Sequence, residues 1–159
     1  MIRATRLADW RDLKTARLAA LLDVPTAFGA SHASAAAFTD EDWQHRAAST
    51  PQRTFLLACA DGQPVGLAAH VIDGQGECSL QAMWVKLEYR GMEIAAGLVD
   101  AVKQLCVAGG HGRLALDVSP DNARAAAFYQ KQGFVFLPEW EALDSHPHIQ
   151  VQKMEWLAA

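Results

Sequence analysis

Residues 81–103 set the tightest limit on what this chain can fold into. An apolar strand segment, Met83, Trp84 and Val85, passes through a short polar turn to Arg90 and Gly91. Ile94, Leu98, Ala101, Val102 and Leu105 then recur at helical spacing. Strand, tight loop and helix in that order form an anion-binding architecture. The first backbone N–H groups of a helix lack intrahelical partners and sit at the positive end of its dipole, so a phosphate is well received there.

The flanking segments supply elements on both sides. Residues 54–60, 65–72 and 78–85 read as strands, joined by Asp61-Gly62 and by Asp73-Gly74-Gln75-Gly76. Asp-Gly between apolar runs predicts a hairpin because the turn needs positive φ, which Gly supplies and Asp tolerates. Ahead of this meander, residues 1–5 form a short strand. Asp9 caps a helix through Leu13, Ala16 and Leu21 that Val24-Pro25 ends. Residues 26–38 read as a loop or broken helix, and Thr39 with Asp42 resembles a capping box opening a helix through Trp43 and Arg46. Downstream, Gly109-Gly110 stops the long helix and Leu114, Leu116 and Val118 alternate as a strand. Asp121-Asn122 opens a helix that Gly133 ends. Residues 134–136 and 149–156 are the last strands, and a change of apolar phase near Gln152 predicts a bulge.

Length and composition bound the rest. The 159 residues suit one domain over 1–159, large enough to bury a core without metal or disulfide staples. A hydrophobic fraction of 51% with 20% charged residues marks a globular chain. A net charge of −4 gives nucleic acid no basic footprint and leaves a cationic amine open as substrate. Cys59, Cys78 and Cys106 are odd in number and lack Cys-x-x-Cys spacing, so buried thiols are expected, with neither a disulfide framework nor a metal site. With no apolar leader and no membrane-length run, a cytoplasmic protein without a membrane partner is the expectation.

Two stretches together, residues 81–103 and residues 116–134, resemble the GNAT superfamily of N-acetyltransferases. Its first signature, Arg/Gln-x-x-Gly-x-Gly/Ala after a strand, falls on Arg90, Gly91, Met92, Glu93, Ile94 and Ala95, with Glu93 standing at the inner Gly position. The second, a strand, an Asn and a helix carrying Tyr and closing on Gly-Phe, falls on Asn122, Tyr129, Gly133 and Phe134. The resemblance implies an α/β (α+β) fold, a mixed, mostly antiparallel sheet of six to seven strands flanked by about four helices. It also implies transfer of an acetyl group from acetyl-CoA by direct attack of a small-molecule or peptide amine.

On that resemblance, the backbone of Met83, Trp84 and Val85 holds the acyl and pantetheine parts of the cofactor, and the Val85 N–H polarises the thioester. Residues 90–95 wrap the pyrophosphate, Asn122 bonds the pantetheine arm and Tyr129 acts as general acid. Read without it, the strand triplet is core, Asn122 a helix cap and Tyr129 an amphipathic core residue. The general base is less defined. Ser79 stands where some relatives carry a catalytic Glu, and Glu77, two residues earlier on the same strand face, is the candidate, acting through water. Glu93 adds bulk and like charge beside a phosphate, so the alternative is a catalytically silent binding or self-associating module with impaired acetyl-CoA binding. An exposed edge on the last strand would permit pairing into a homodimer.

Overall fold

The structure, a computed structural model, describes residues 1–23, 31–91, 93–143 and 146–158. The expected meander is present: strands β2 (Arg53–Ala60), β3 (Gln63–Ile72) and β4 (Cys78–Val85) run antiparallel, with β1 (Ile2–Ala4) added beside β2. Asp61 and Gly62 take φ values of 52° and 75°, the two left-handed residues that a two-residue hairpin turn demands. The Asp73 carboxylate accepts from the backbone N–H groups of Gln75 and Glu77 at 2.9 Å each, tying the second turn.

After β4 the chain crosses through helix α4 (Ile94–Ala108) to β5 (Arg113–Val118). Helix α5 (Ala123–Lys131) follows, then the hairpin of β6 (Val135–Leu143) and β7 (His146–Leu157). Among the described residues the sheet has seven strands in the order β1-β2-β3-β4-β5-β7-β6. The last strand is therefore interior, bonded to β5 and β6, and the edges of the sheet are β1 and β6. Because β7 pairs between β6 and β5, sequence position misjudged the edge. The register irregularity expected on the last strand near Gln152 lies instead on β6, where residues 137–139 stand between the pairs Phe136↔Met154 and Trp140↔Gln152, against Lys153 alone. The Gln152 side chain donates to the Leu137 carbonyl at 2.8 Å across it.

Two cores sandwich the sheet. Leu98, Val99, Val102 and Cys106 of α4 are fully buried against Leu56, Leu80, Val85 and Leu116, with α5 on the same face. Each such aliphatic side chain contributes roughly 1.5–3 kcal/mol by leaving water. On the other face, helix α1 (Trp10–Asp23) and helix α3 (Asp40–Ala47), with the short α2 (His32–Ala36) between them, pack Leu13, Ala20, Leu21 and Trp43 on Phe55, Leu57, Leu67 and Trp84. Thr39 and Asp42 form the expected capping box: the Asp42 N–H donates to the Thr39 hydroxyl at 3.1 Å and the Thr39 N–H to the Asp42 carboxylate at 3.0 Å. Asp9 is not the N-cap of α1. It closes a preceding 3-10 turn by accepting from the Arg6 N–H at 2.8 Å and from Arg3 at 2.6 Å. Cys78 and Cys106 are buried and Cys59 half-buried, all three as free thiols. Among the described residues no helix is long and apolar enough to cross a membrane.

Candidate active site

Strands β4 and β5 are the sheet's only parallel neighbours among the described residues, and they register at one pair, Ser79↔Ala115. From Leu80 onward β4 leaves β5 while staying bonded to β3 as far as Val85↔Gly66. The Lys86 N–H donates to the Val65 carbonyl at 2.8 Å on the β3 side. Because successive residues of a strand point their backbone groups to opposite sides, Val85 turns its own N–H and C=O into the opening.

A bulge lies in the same strand. Leu67 and Ala69 of β3 oppose Trp84 and Gln81, so β4 carries one extra residue, and Ala82 there takes φ 57°. Ahead of the bulge Cys78 and Leu80 face the α4 core. After it Met83 and Val85 do, while Ala82 and Trp84 turn to the α1 and α3 face. Positive φ at a non-Gly residue costs energy, and this one changes the phase of the strand in mid-site.

The loop from β4 to α4 closes the mouth. A 3-10 turn, Leu87–Tyr89, leads to Arg90 and Gly91, whose φ of 82° requires the glycine. Met92 lies outside the described residues. Glu93 is the N-cap residue of α4; it is exposed and makes no side-chain cap, and its carbonyl accepts from the Gly97 N–H at 3.0 Å. The first-turn N–H groups of Ile94 and Ala95 therefore face outward without the Glu93 carboxylate folded over them. Arg90 is a brace: its Nε donates to the Val85 carbonyl at 2.8 Å, and its guanidinium pairs with Asp23 at the end of α1. The indole N–H of Trp84 donates to the same carboxylate at 3.1 Å, fixing the strand end to α1.

Asn122 caps α5, its side-chain oxygen accepting from the Ala125 N–H at 3.2 Å. Tyr129 stacks edge-on between Phe128 and Phe134, with ring centroids 5.3 and 5.8 Å away. Burial pushes its phenol well above the ordinary range, so the group stays a proton donor. Glu77 sits at the far end of β4, accepting from Lys153 at 2.9 Å and pairing with Arg113 at 3.5 Å. Eight residues separate it from Val85, roughly 26 Å of strand, so the two are not brought together. A hollow of about 320 Å³ beside Glu77, Cys78, His111 and Arg113 is remote from the opening for the same reason.

Two features escaped sequence reasoning. Asp117 of β5 stands two residues beyond Ala115, level with Gln81 across the opening. Asp117 is exposed at its surface, yet partial desolvation on the sheet, then Glu141, raises its carboxyl above the usual range, against a lowering pull from Lys153. Beside Gln81 and Ala82, on the α1 and α3 face, opens a cavity of about 200 Å³. Neither has a motif, because each is assembled from separate elements.

A sheet parted at one parallel pair, with a helix N-terminus at its mouth, makes a cleft whose entrance suits an anion. The chain belongs to the acetyltransferase (GNAT) family, whose model matches residues 17–134. Uncharacterized N-acetyltransferases of Mycobacterium tuberculosis and Mycobacterium bovis are 33% identical over 84 residues, 53% of this chain and 54% of theirs. The chain thus spans about half the length of the curated relatives it matches. A GNAT-family acetyltransferase from Streptococcus pneumoniae superposes with a TM-score of 0.80 at 23% identity, over 100% of this chain and 99% of that one. The paia N-acetyltransferase of Thermoplasma acidophilum, solved with coenzyme A, gives 0.73 at 19% identity over 99% and 98%. These structural likenesses establish the shared fold.

Proposed function

We propose that the protein transfers the acetyl group of acetyl-CoA to an amine, by direct attack in the opening between β4 and β5. GNAT acetyltransferases use acetyl-CoA. The observation that carries the reading is the unpaired edge of β4, where Val85 presents its N–H into the opening. Backbone groups of residues 83–85 would hold the pantetheine and thioester, and that N–H would polarise the thioester oxygen. Residues 90–95 would seat the pyrophosphate at the α4 N-terminus, with Gly91, Ile94 and Ala95 offering backbone and Arg90 bracing the strand end. The Asn122 oxygen is committed to its cap, so its amide N–H₂ is the part that would reach the pantetheine arm.

The acceptor must lose a proton and the departing thiolate must gain one. Tyr129 is assigned as the donor to sulfur. For the base we place Asp117 nearest the acceptor, with Glu77 behind it, linked through Lys153, which bonds Glu77 and lies opposite Asp117 in the β5–β7 ladder.

Calorimetric titration with acetyl-CoA, then thiol release with an amine panel, tests the reading. Micromolar binding and amine-dependent release are expected. The Glu93 carboxylate at the α4 cap is the observation favouring a silent module, and that reading wins if acetyl-CoA binds only after Glu93→Gly.

A further inference from the structure

The cavity beside the β4 bulge has an unusual electrostatic lining. Three arginines reach it from separate elements: Arg17 from α1, Arg46 from α3 and Arg53 from β2. No carboxylate lines it among the described residues. Arg3, Arg90 and Arg113 each pair with a carboxylate, whereas no ion pair of Arg46 or Arg53 occurs among the described residues. The nearest acid in sequence, Asp42, hydrogen-bonds the Thr39 N–H with its carboxylate and meets Arg46 through its backbone carbonyl, at 3.4 Å, so the two charges attract without forming an ion pair.

Aromatic rings hold Arg46 and Arg53 in place without neutralising them. The Arg46 guanidinium lies 3.9 Å from the Phe38 ring centroid and that of Arg53 5.5 Å from Phe55. Stacking uses the faces of a guanidinium and leaves its in-plane N–H donors for a planar or tetrahedral anion. The three charges act on one another. Burial, then the Arg46 charge, pulls Arg17 down to about 10, and the same two causes lower Arg53. Trp43 lines the same cavity at 1% exposure, and its indole N–H has no hydrogen-bond partner among the described residues. A buried donor left unmatched beside these cations adds to the positive potential of the lining.

We propose that this cavity seats an anionic group, carboxylate or phosphate, carried by the acceptor amine itself. Its volume of about 200 Å³ falls below the roughly 300–1,000 Å³ of pockets that enclose drug-sized ligands, so the acceptor is small, of amino-acid size. Gln81 and Ala82 at the bulge line the cavity and belong to the stretch of β4 that has left β5, so an anion held by Arg46 and Arg53 directs its amine toward the β4 edge. Polycationic amines are excluded by the same charges. The negative net charge of the chain had left cationic amines open; the local lining reverses that preference.

The inference rests on the acetyltransferase reading, and its test separates the two. L-Leucine, its carboxamide, O-phosphoethanolamine and spermidine are each titrated by calorimetry and assayed for acetyl-CoA-dependent thiol release. Expected is at least tenfold greater kcat/KM for L-leucine or O-phosphoethanolamine than for the carboxamide, with whichever anion wins identifying the group. Arg46→Gln and Arg53→Gln should each raise KM for that amine at least tenfold with kcat nearly kept. Equal use of L-leucine and its amide, or preference for spermidine, overturns the inference while leaving the acetyltransferase intact. Should acetyl-CoA fail to bind, the enzyme reading falls and direct titration still decides. Binding of an anionic amine that its neutral analogue or Arg46→Gln weakens tenfold supports the cavity; no binding of either anion overturns it.

Discussion

Replacing Tyr129 by Phe removes one hydroxyl and keeps the ring that packs between Phe128 and Phe134. A role in the core predicts no kinetic effect; a role as donor to sulfur predicts a fall in kcat of about a hundredfold, within the range of general acid catalysis. The thermal midpoint and acetyl-CoA affinity should hold, and steady-state kinetics beside a melting curve read both. Asp117→Asn should lower kcat more than Glu77→Gln, since Asp117 stands level with Gln81 and Glu77 with Arg113. Because Asp117 is raised by desolvation and neighbouring acids, the acid limb of kcat/KM should lie above the ordinary aspartate value of about 3.9. A limb at or below that value removes Asp117 as base. Glu93 acts through solvent, being exposed and uncapped. At roughly 5 Å from a phosphate charge in water-like dielectric the repulsion is about 0.8 kcal/mol, so Glu93→Gly should tighten acetyl-CoA binding about fourfold. Added salt should shrink that difference, which calorimetry at two ionic strengths measures.

At the scale of elements, β4 does most to organise the site, and its bulge is the part that sequence reasoning did not reach. Alternation of Leu80, Ala82 and Trp84 reads as one continuous face, yet Leu80 and Trp84 belong to opposite cores. An inserted residue in a strand leaves no mark when small and apolar residues stand on both sides of it. The turns were legible because their chemistry is local: Asp61-Gly62, the Thr39 box and the Asn122 cap each announce themselves within four residues. The arginine cavity was not, because α1, α3 and β2 deliver one cation each across 36 positions of sequence. A trace existed in Arg17, which follows Ala16 and precedes Ala20 along the buried stripe of α1. Ala82→Val should separate bulge strain from side-chain chemistry. A β-branched residue tolerates positive φ poorly, so a loss of about 1–2 kcal/mol is expected, read by urea unfolding. Since Gln81 and Ala82 wall the cavity, KM for the amine should rise with acetyl-CoA affinity kept.

The whole molecule places its two chemistries on opposite faces of one sheet. The α4 face carries the proposed phosphate seat and Tyr129, the α1 and α3 face carries the cavity, and the parted strands are where the two can meet. Such an arrangement works only while the sheet stays intact, and its acid sensitivity is set on β3, away from the opening. His70 is 5% exposed, with its Nε2 3.0 Å from the Cys78 sulfur. Burial, then the His111 charge, lowers its pKa, while burial, then Cys106, pushes the Cys78 thiol up to about 12, so both stay neutral in the fold. A histidine with a depressed folded pKa binds protons more readily when unfolded, so its contribution is complete above about 6.5 and is lost as pH falls through the lower folded value. Asp117 works in the opposite sense, its raised pKa returning stability as it protonates, whereas Asp9, lowered chiefly by Arg3, loses stability only below the ordinary carboxylate range. Between pH 7 and the upper edge of the carboxylate range His70 therefore dominates, and the melting temperature should fall on acidification. His70→Asn should flatten that slope whatever it does to the midpoint at pH 7. A slope unchanged in the variant would place the acid-labile group elsewhere in the molecule.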